Sequence, residues 1–316
     1  MILKGKKFLV TGGAGFLGSH LAEALFKEGA HVSIFDVFAS GRPENVKPFE
    51  EKIKLVQGDL TDKKLISEAL QDIDVVIHAA FPMEIRMPNP PLAGVKSAAA
   101  GFLNILECCI KEKALFVEIS SIAVYGNEKY QPVDERHPLE PETVYGAVKL
   151  AEEEFCRVMR KTQGLKTIIL RVADIYGPRN TRVSVPIKFL HNACLGKAST
   201  VHGTGVQGRT FTYVSDFVKG VLCAVVSDKA EGEVFNIAGA KFISMLELAE
   251  TVKKVTASHM PIIFDHEKVT DSRKLEIDIS KAREIIKFDP EVDLSHGLRL
   301  THKWMLKNMS LFLLKV

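Results

Sequence analysis

The stretch TGGAGFLG (11–18) decides the fold, because it joins the apolar run KFLVT (7–11) to a helical pattern. Gly12 permits a tight turn, Gly15 lets the backbone approach a pyrophosphate, and Gly18 lets the helix pack closely on a sheet. The unpaired N–H groups at such a helix start favour anions. The stretch therefore predicts the phosphate site of a dinucleotide, although an ordinary glycine-rich strand–helix turn shows the same glycines.

The first half of the chain repeats this alternation of apolar run and helical pattern. The runs are β-branched and continuous, which is typical of parallel strands buried on both faces. The predicted elements are KFLVT (7–11), a helix from about Gly15 to Gly29, HVSIFD (31–36), IKLVQ (53–57), DVVIH (74–78), LFVEIS (115–120) and KTIILR (166–171). This order predicts an α/β fold, a Rossmann-type doubly wound parallel sheet.

The pattern of apolar and polar residues changes after about residue 178, where loop-rich stretches alternate with helical patterns near 215–227, 244–255 and 295–308. We expect residues 1–178 to form the dinucleotide-binding domain with the catalytic residues. Residues 179–316 should form mainly a smaller C-terminal α/β lobe that binds the substrate. This boundary is approximate, and segments of the two parts are free to interleave.

An acidic residue follows the glycines at the distance expected for ribose binding. Asp36 ends the second predicted strand, 18 residues after Gly18. Its carboxylate would accept hydrogen bonds from the adenosine ribose and repel a 2′-phosphate, which favours NAD over NADP. Arg42 in the next loop is the counter-evidence, since it could reach a 2′-phosphate. Asp59 would either receive the adenine amino group or serve only its own turn.

Tyr145 and Lys149 form a Y-x-x-x-K pair in the strongly helical segment VYGAVKLAEEEF. Residues four apart share one helix face, so the ammonium can lie near the phenol and also touch a cofactor ribose. Together with a positive nicotinamide, the lysine would favour the phenolate that a general base needs near neutral pH. Ser121 follows a predicted strand, where its hydroxyl could bond the reacting oxygen. A surface pair and a strand-end cap are the simpler interpretations of these residues taken singly.

The motifs TGGAGFLG, GDL, ISSIAVYG, YGAVK, LRVADIYGPR and GRTFTYVSD follow one another as in extended short-chain dehydrogenases/reductases. The chain resembles the NAD-dependent epimerase/dehydratase family, typified by UDP-glucose 4-epimerase, over nearly its whole length. The resemblance implies that Tyr145 removes a proton from a sugar hydroxyl while NAD takes the hydride. Ser121 would bind the same oxygen, and Lys149 would hold the ribose and tune the tyrosine.

The resemblance also implies a set of binding residues. Arg209 would clamp the diphosphate of a nucleotide-sugar, a UDP-sugar being favoured, and Arg273 would assist it, because guanidinium groups donate paired hydrogen bonds to phosphate oxygens. A surface ion pair is the alternative for either arginine. The expected NAD-binding residues are Gly12, Gly15, Phe16, Leu17, Gly18, Asp36, Asp59, Leu60, Ala79, Ala80, Tyr145 and Lys149.

Three positions depart from the family pattern. Asp174 stands where an asparagine that binds the substrate phosphates is common, and a carboxylate there is unfavourable unless it is paired or turned away. Ala98 replaces an asparagine that often supports the active-site helix, and Val148 replaces the usual serine before the lysine. These changes leave the serine–tyrosine–lysine set intact.

The residues after Ser121 bear on the reaction. Family 4,6-dehydratases carry an Asp–Glu pair there, and related decarboxylases a glutamate at the second place, whereas this chain has Ile122 and Ala123. Neither side chain can move a proton. The resemblance therefore favours an NAD-retaining 4-epimerase. A reductase or dehydrogenase with net redox turnover and a non-catalytic dinucleotide sensor are the alternatives.

Composition limits the partners. The net charge is +3, from 42 basic and 39 acidic residues, which gives no reason to expect a nucleic-acid binder. The five cysteines have no zinc spacing with histidines, so no metal site is expected, and they fit buried packing in a reducing compartment.

The sequence shows no signal-peptide pattern and no apolar run that approaches the length of a membrane-spanning helix. We therefore expect a cytoplasmic protein with no membrane association. The resemblance also implies a homodimer built from helices near 92–112 and 143–160.

Overall fold

The computed structural model describes residues 2–87, 89–182, 184–267 and 273–313. The strands in these residues are β1 (Lys7–Thr11), β2 (His31–Asp36), β3 (Lys54–Gln57), β4 (Val75–His78), β5 (Leu115–Ser121), β6 (Lys166–Val172), β7 (Ile175–Tyr176), β8 (Ser199–His202), β9 (Gly208–Thr210), β10 (Thr212–Tyr213), β11 (Val234–Ile237), β12 (Phe242–Ser244), β13 (Ile262–Asp265) and β14 (Lys274–Leu275).

Helices connect most of these strands, as the apolar periodicity predicts. They are α1 (Phe16–Lys27), α2 (Lys63–Ala69), α3 (Leu92–Glu112), α4 (Val144–Gln163), α5 (Val185–Cys194), α6 (Val214–Val226), α7 (Met245–Thr256), α8 (Ser280–Ile285), α9 (Leu294–Lys307) and α10 (Ser310–Leu313). Short 3₁₀ turns lie at Pro43–Asn45, Lys47–Lys52, Met83–Arg86 and Ile122–Val124.

The main sheet has seven parallel strands in the order β11-β6-β5-β4-β1-β2-β3. The chain winds in one direction from β1 to β3 and in the other from β4 onward, so the direction of winding reverses between β1 and β4. Ligands of doubly wound folds bind outside the carboxyl ends of the strands at such a reversal. The predicted Rossmann-type sheet is confirmed, and its topology places the candidate site after β1, β4 and β5.

The sheet takes its seventh strand from beyond residue 178. β11 pairs in parallel with β6, Val234 opposite Ile169 and Ile237 opposite Val172. The sequence did not predict this strand, because four residues in a loop-rich region carry little periodicity. The two parts of the chain therefore interleave in the sheet, and the division into domains at 178 stays a prediction.

Two hydrophobic cores form because successive strand residues point to opposite faces of the sheet. Phe8 and Val10 of β1 belong to the core that contains Leu21 of α1 and Phe217 of α6. Leu9, between them, belongs to the core on the other face with residues of α2, α3 and α4. Burial on both faces is the reason why the strands read as continuous apolar runs.

Helix α3 is long and apolar enough, by length and composition alone, to cross a membrane. The expectation that no run approaches that length is therefore wrong. The helix nevertheless buries Phe102, Ile105 and Leu106 in the core against the sheet, which accounts for its apolar composition. All five cysteines are free thiols, and a cytoplasmic location stays a prediction.

The smaller C-terminal lobe contains the short sheets β12–β9–β14 and β13–β8, which pack with α5 and α7, and α9 packs on these two helices. A third short sheet, β10–β7, packs with α6. β14 runs parallel to β9, with Leu275 opposite Arg209, and the amide of Gly208 donates to the carbonyl of Arg273. The two arginines predicted to bind phosphate therefore lie on neighbouring chain segments, although they are more than sixty residues apart in sequence.

Candidate active site

A cavity of about 400 Å³ opens at the carboxyl ends of β1, β2, β4 and β5. Its wall includes every residue predicted to bind NAD, namely Gly12, Gly15, Phe16, Leu17, Gly18, Asp36, Asp59, Leu60, Ala79, Ala80, Tyr145 and Lys149. Asp36 and Tyr145 come from opposite sides of the winding reversal. The cavity therefore joins a region around Asp36 that is suited to an adenosine to a region around Tyr145 that is suited to catalysis, the chemical end of the cavity.

The glycine turn after β1 fits a phosphate group. Gly12 has φ +65°, and a Cβ there would lie 2.8 Å from backbone atoms of Ala80, so no other residue fits without moving the chain. Helix α1 begins after Gly15, which provides no side-chain cap, and the first turn holds no acidic residue. The N–H groups at this end of α1 therefore face the cavity with the positive end of the helix dipole.

Asp36 is fixed by the backbone at the end of β2. Its carboxylate accepts hydrogen bonds from the amide of Ala14 at 2.9 Å and from that of Phe38 at 2.7 Å. Burial raises the pKa of Asp36, while these two bonds oppose the rise. The side chain of Arg42 is not part of the cavity wall, and its amide donates to Ala14. The geometry suits two ribose hydroxyls better than a 2′-phosphate.

Tyr145 lies at the start of helix α4. Thr143 caps that helix by accepting from the amide of Gly146 at 3.0 Å, so the phenol sits at the positive end of the helix dipole. Nη2 of Arg86 donates to the phenol oxygen at 2.5 Å, and the guanidinium lies 4.0 Å from the ring centroid. The rings of Phe81 and Tyr145 pack edge to face, with their centroids 5.1 Å apart. These contacts fix the position of the phenol oxygen next to a cation.

Lys149 is buried one turn further along α4. Its Nζ lies 2.8 Å from Glu118 of β5 and 2.9 Å from Glu152. Burial lowers the pKa of Lys149, but the two carboxylates and Tyr145 outweigh that effect and raise it above its ordinary value. The lysine is therefore a permanent cation, as a residue that holds a ribose and favours a phenolate must be.

A second buried ion pair fixes α4 to the sheet. The guanidinium of Arg171 on β6 donates to Glu153 from both Nε and Nη2, at 3.0 and 2.7 Å. The hydroxyl of Ser120 donates to the same carboxylate at 2.5 Å, and Tyr125 packs on Arg171. Because Glu153 lies four residues after Lys149, this network sets the depth and rotation of the helix that carries Tyr145 and Lys149.

Ser121 ends β5 and is buried, and its Oγ accepts from the amide of Ala123 at 3.2 Å. The cavity wall contains its neighbour Ser120 instead. The hydroxyl of Ser121 thus caps the short turn Ile122–Val124, the simpler of the two roles considered from sequence. Its role toward a reacting oxygen stays a prediction.

Arg209 lies outside the cavity wall, on β9 of the smaller lobe. Its Nη1 donates to Oδ2 of Asp174 at 2.9 Å, with about a third of each side chain exposed. The carboxylate of Asp174, which stands where the family pattern commonly has an asparagine, is therefore paired. Pairing is one of the two conditions under which it can lie beside a diphosphate.

Four charged residues around the chemical end of the cavity were not selected from the sequence. They are Arg86, Glu118, Glu152 and Arg182, of which Arg86, Glu152 and Arg182 belong to the wall. Burial, with a contribution from Arg86, lowers the pKa of Arg182 to about 10. Two signals were available: Glu118 is a carboxylate inside an otherwise apolar strand run, and Glu152 lies three residues after Lys149 in a predicted helix. The two arginines lie on loops, where charge is ordinary.

The fold, the glycine turn and the tyrosine–lysine pair on α4 define the class: an NAD-dependent enzyme of the extended short-chain dehydrogenase/reductase type. The model of the NAD dependent epimerase/dehydratase family matches residues 8–238. The chain belongs to this family.

Proteins similar to this chain are named as epimerases or decarboxylases of UDP-sugars. A putative UDP-glucose 4-epimerase of Methanocaldococcus jannaschii is 33% identical, covering 95% of this chain and 98% of that protein. A UDP-N-acetyl-α-D-glucosaminuronate decarboxylase of Bacillus cytotoxicus is 32% identical, over 95% and 97%. The structure of Bacillus cereus UDP-glucuronic acid 4-epimerase with UDP-glucuronic acid and NAD is 31% identical, covers 96% of this chain and 99% of that one, and has a TM-score of 0.87.

Proposed function

We propose that the protein is an NAD-dependent nucleotide-sugar epimerase that inverts C4 of a UDP-sugar through a transient 4-keto sugar. The observation that carries the proposal is the position of Tyr145: its phenol lies at the chemical end of the NAD cavity, held by a guanidinium. Ile122 and Ala123 supply no further acid or base next to Ser121. An epimerisation needs one reversible proton acceptor at the reacting oxygen, and Tyr145 is suited to that role.

The residues divide the work as follows. Bound NAD supplies a hydride acceptor that can return the hydride to either face of the sugar. Tyr145 accepts the proton of the C4 hydroxyl at its phenol oxygen and later gives it back, and Arg86 stabilises the phenolate between these events. Asp36 and the glycine turn hold the adenosine and phosphates, and we assign the sugar diphosphate to Arg209, with Arg273 as its neighbour.

Two arginines near the phenol of Tyr145 are a reason to test acidic sugars as well as neutral ones. Arg86 and Arg182 both belong to the wall near Tyr145, so an acidic group on the sugar would meet positive charge there. The similar enzymes from Bacillus cereus and Bacillus cytotoxicus are named for acidic sugars. The panel therefore contains UDP-glucose, UDP-N-acetylglucosamine and UDP-glucuronic acid, each with its C4 epimer, and dTDP- and GDP-sugars.

The test is to incubate the purified protein with each sugar and identify the products by NMR while absorbance follows NADH. We expect a C4 epimer with no net NADH, and no turnover by Tyr145→Phe, which should keep its NAD. NADH formed in proportion to product would instead identify a keto-sugar reductase or another extended-type dehydrogenase. A pentose product with released CO₂ would identify a decarboxylase. Full activity of Tyr145→Phe would exclude the mechanism.

We further propose a homodimer through the outer faces of α3 and α4. Val144 and Val158 of α4 and Leu92 of α3 are 42%, 44% and 75% exposed, and we assign these apolar side chains to the contact between the two copies. Sedimentation of the wild type and of Val158→Glu tests this: the wild type should be dimeric and the variant should dissociate. A monomeric wild type would exclude the dimer.

A further inference from the structure

Glu118 and Glu152 place two carboxyl groups on one ammonium in the core. Glu118 lies in the middle of β5, Glu152 on α4, and Nζ of Lys149 lies 2.8 and 2.9 Å from them. The three side chains are 0–4% exposed. A single carboxylate would neutralise the lysine, so the second one needs an explanation.

The charges of this cluster do not balance when all three groups are ionised. One ammonium and two carboxylates leave a net negative charge on side chains that are almost wholly buried, which is strongly unfavourable. In addition, Oε2 of Glu118 has no hydrogen-bond donor among the described residues, although the carboxyl group of Glu152 is within hydrogen-bonding reach. A proton held between the two carboxyl groups supplies the missing bond and makes the cluster neutral.

The shift in proton affinity agrees with this geometry. Burial raises the pKa of Glu118, with Lys149 opposing the rise and Glu152 adding to it. A change in the nearby charge can therefore alter the protonation of this carboxyl group.

Other titratable groups face the cluster. His78 on β4 is neutral, because burial and Lys149 lower its pKa, and it bonds to Thr11. Burial raises the pKa of the Cys156 thiol on α4. Glu153 is bound by Arg171. Tyr145, whose oxygen accepts a hydrogen bond from Arg86, also faces the cluster, and the experiment must distinguish its proton from a proton on the glutamates.

The cluster borders the cavity at the end near Tyr145, where we place the redox step. Lys149 and Glu152 are part of the wall next to Tyr145. Because the proton and the hydride leave the same CH–OH unit of the sugar, the nicotinamide ring must lie within reach of the atom that Tyr145 deprotonates. This step rests on the proposed function. An oxidised ring carries one positive charge and a reduced ring none.

We propose that Glu118 and Glu152 are positioning residues for Lys149 that share one proton when the bound cofactor is reduced and release it when the cofactor is oxidised. The cluster then compensates the charge of the nicotinamide: one carboxyl O–H bond breaks as the positive ring forms, and it forms again on reduction. The proton is exchanged with solvent, and no electrons move within the cluster. The two glutamates thereby keep the total charge around Lys149 constant through the redox cycle.

Infrared difference spectroscopy on the holoprotein tests this without any sugar. The bound NAD is reduced in place with borohydride at pH 7, and the reduced-minus-oxidised spectrum is recorded with and without ¹³C-labelled glutamate. We expect a carbonyl band of a protonated carboxylic acid to appear on reduction and to shift with the label. The band should be lost in Glu118→Gln and in Glu152→Gln, and it should persist in Glu154→Gln, an exposed glutamate on the same helix.

Three outcomes would overturn the proposal: no such band in the wild type, a band that does not shift with labelled glutamate, or a band that survives in both cluster variants. Tyr145→Phe should retain the band, and its loss there would assign the proton to the tyrosine. The wild-type spectra decide even where a glutamine variant does not fold. Because no sugar is present, a protein that turns over no UDP-sugar can still show the band, and the two proposals fail separately.

Discussion

Nη2 of Arg86 donates a hydrogen bond to the phenol oxygen of Tyr145 at 2.5 Å. The sequence assigned the tuning of this tyrosine to Lys149, four residues along the same helix. In the structure the lysine is instead held by Glu118 and Glu152, and the direct cationic contact comes from a loop after β4.

Removing the guanidinium should weaken catalysis more than binding. For Arg86→Gln we expect kcat to fall about 10- to 100-fold, the usual size of a charge-assisted hydrogen bond to a developing anion. Arg86→Lys should recover part of the rate, because it restores a positive charge near the phenol oxygen. An unchanged kcat in Arg86→Gln would show that Arg86 does not act on Tyr145.

Replacing Asp174 with asparagine should strengthen substrate binding. Arg209 currently shares its charge with this carboxylate at 2.9 Å, and a diphosphate approaching Arg209 also meets the negative charge of Asp174. We expect the KM of the UDP-sugar and the inhibition constant of UDP to fall about three- to tenfold, with kcat unchanged. Arg209→Gln should raise both constants. Weaker UDP binding by Asp174→Asn would place the diphosphate elsewhere.

Asp36 should select NAD through its charge. In Asp36→Asn we expect NAD to bind about tenfold more weakly, because neutral amides make weaker bonds to ribose hydroxyls and the amide nitrogen faces backbone donors. NADP should bind better than to the wild type. Arg42→Gln is the matched control and should change neither affinity; equilibrium dialysis measures both. Strong NADP binding by the wild type, lost in Arg42→Gln, would reverse the assignment.

His20 should make stability depend on pH. Its Nε2 bonds to the carbonyl of Pro178, and burial, with the charge of Arg179, lowers its pKa to about 4. The unfolded chain takes up a proton near pH 6.5 while the folded one does not, so this contribution is complete above pH 6.5 and is lost as pH falls toward 4. Urea unfolding at pH 7.5 and 4.5 should show the wild type losing about 2 kcal/mol more than His20→Gln. Equal losses would assign the acid sensitivity to other groups.

The sequence by itself determined six of the seven strands of the main sheet and one end of the site. Continuous β-branched runs placed β1 to β6 to within one residue at each end, because strands buried on both faces have few other compositions. Gly12 and Asp36 could be predicted for a similar reason: the turn and the ribose site depend on backbone geometry and on a short spacing along the chain.

Only the tertiary structure decided the electrostatics of the chemical end. Arg86 and Glu118 come from a loop and a central strand, and no spacing in the sequence relates them to Tyr145 and Lys149, whereas Glu152 lies three residues after Lys149 on the same helix. The pairing of Asp174 with Arg209 and the addition of β11 to the main sheet likewise join distant segments. Periodicity reports the environment of single elements, whereas charge–charge contacts depend on distances that exist only once the elements have packed.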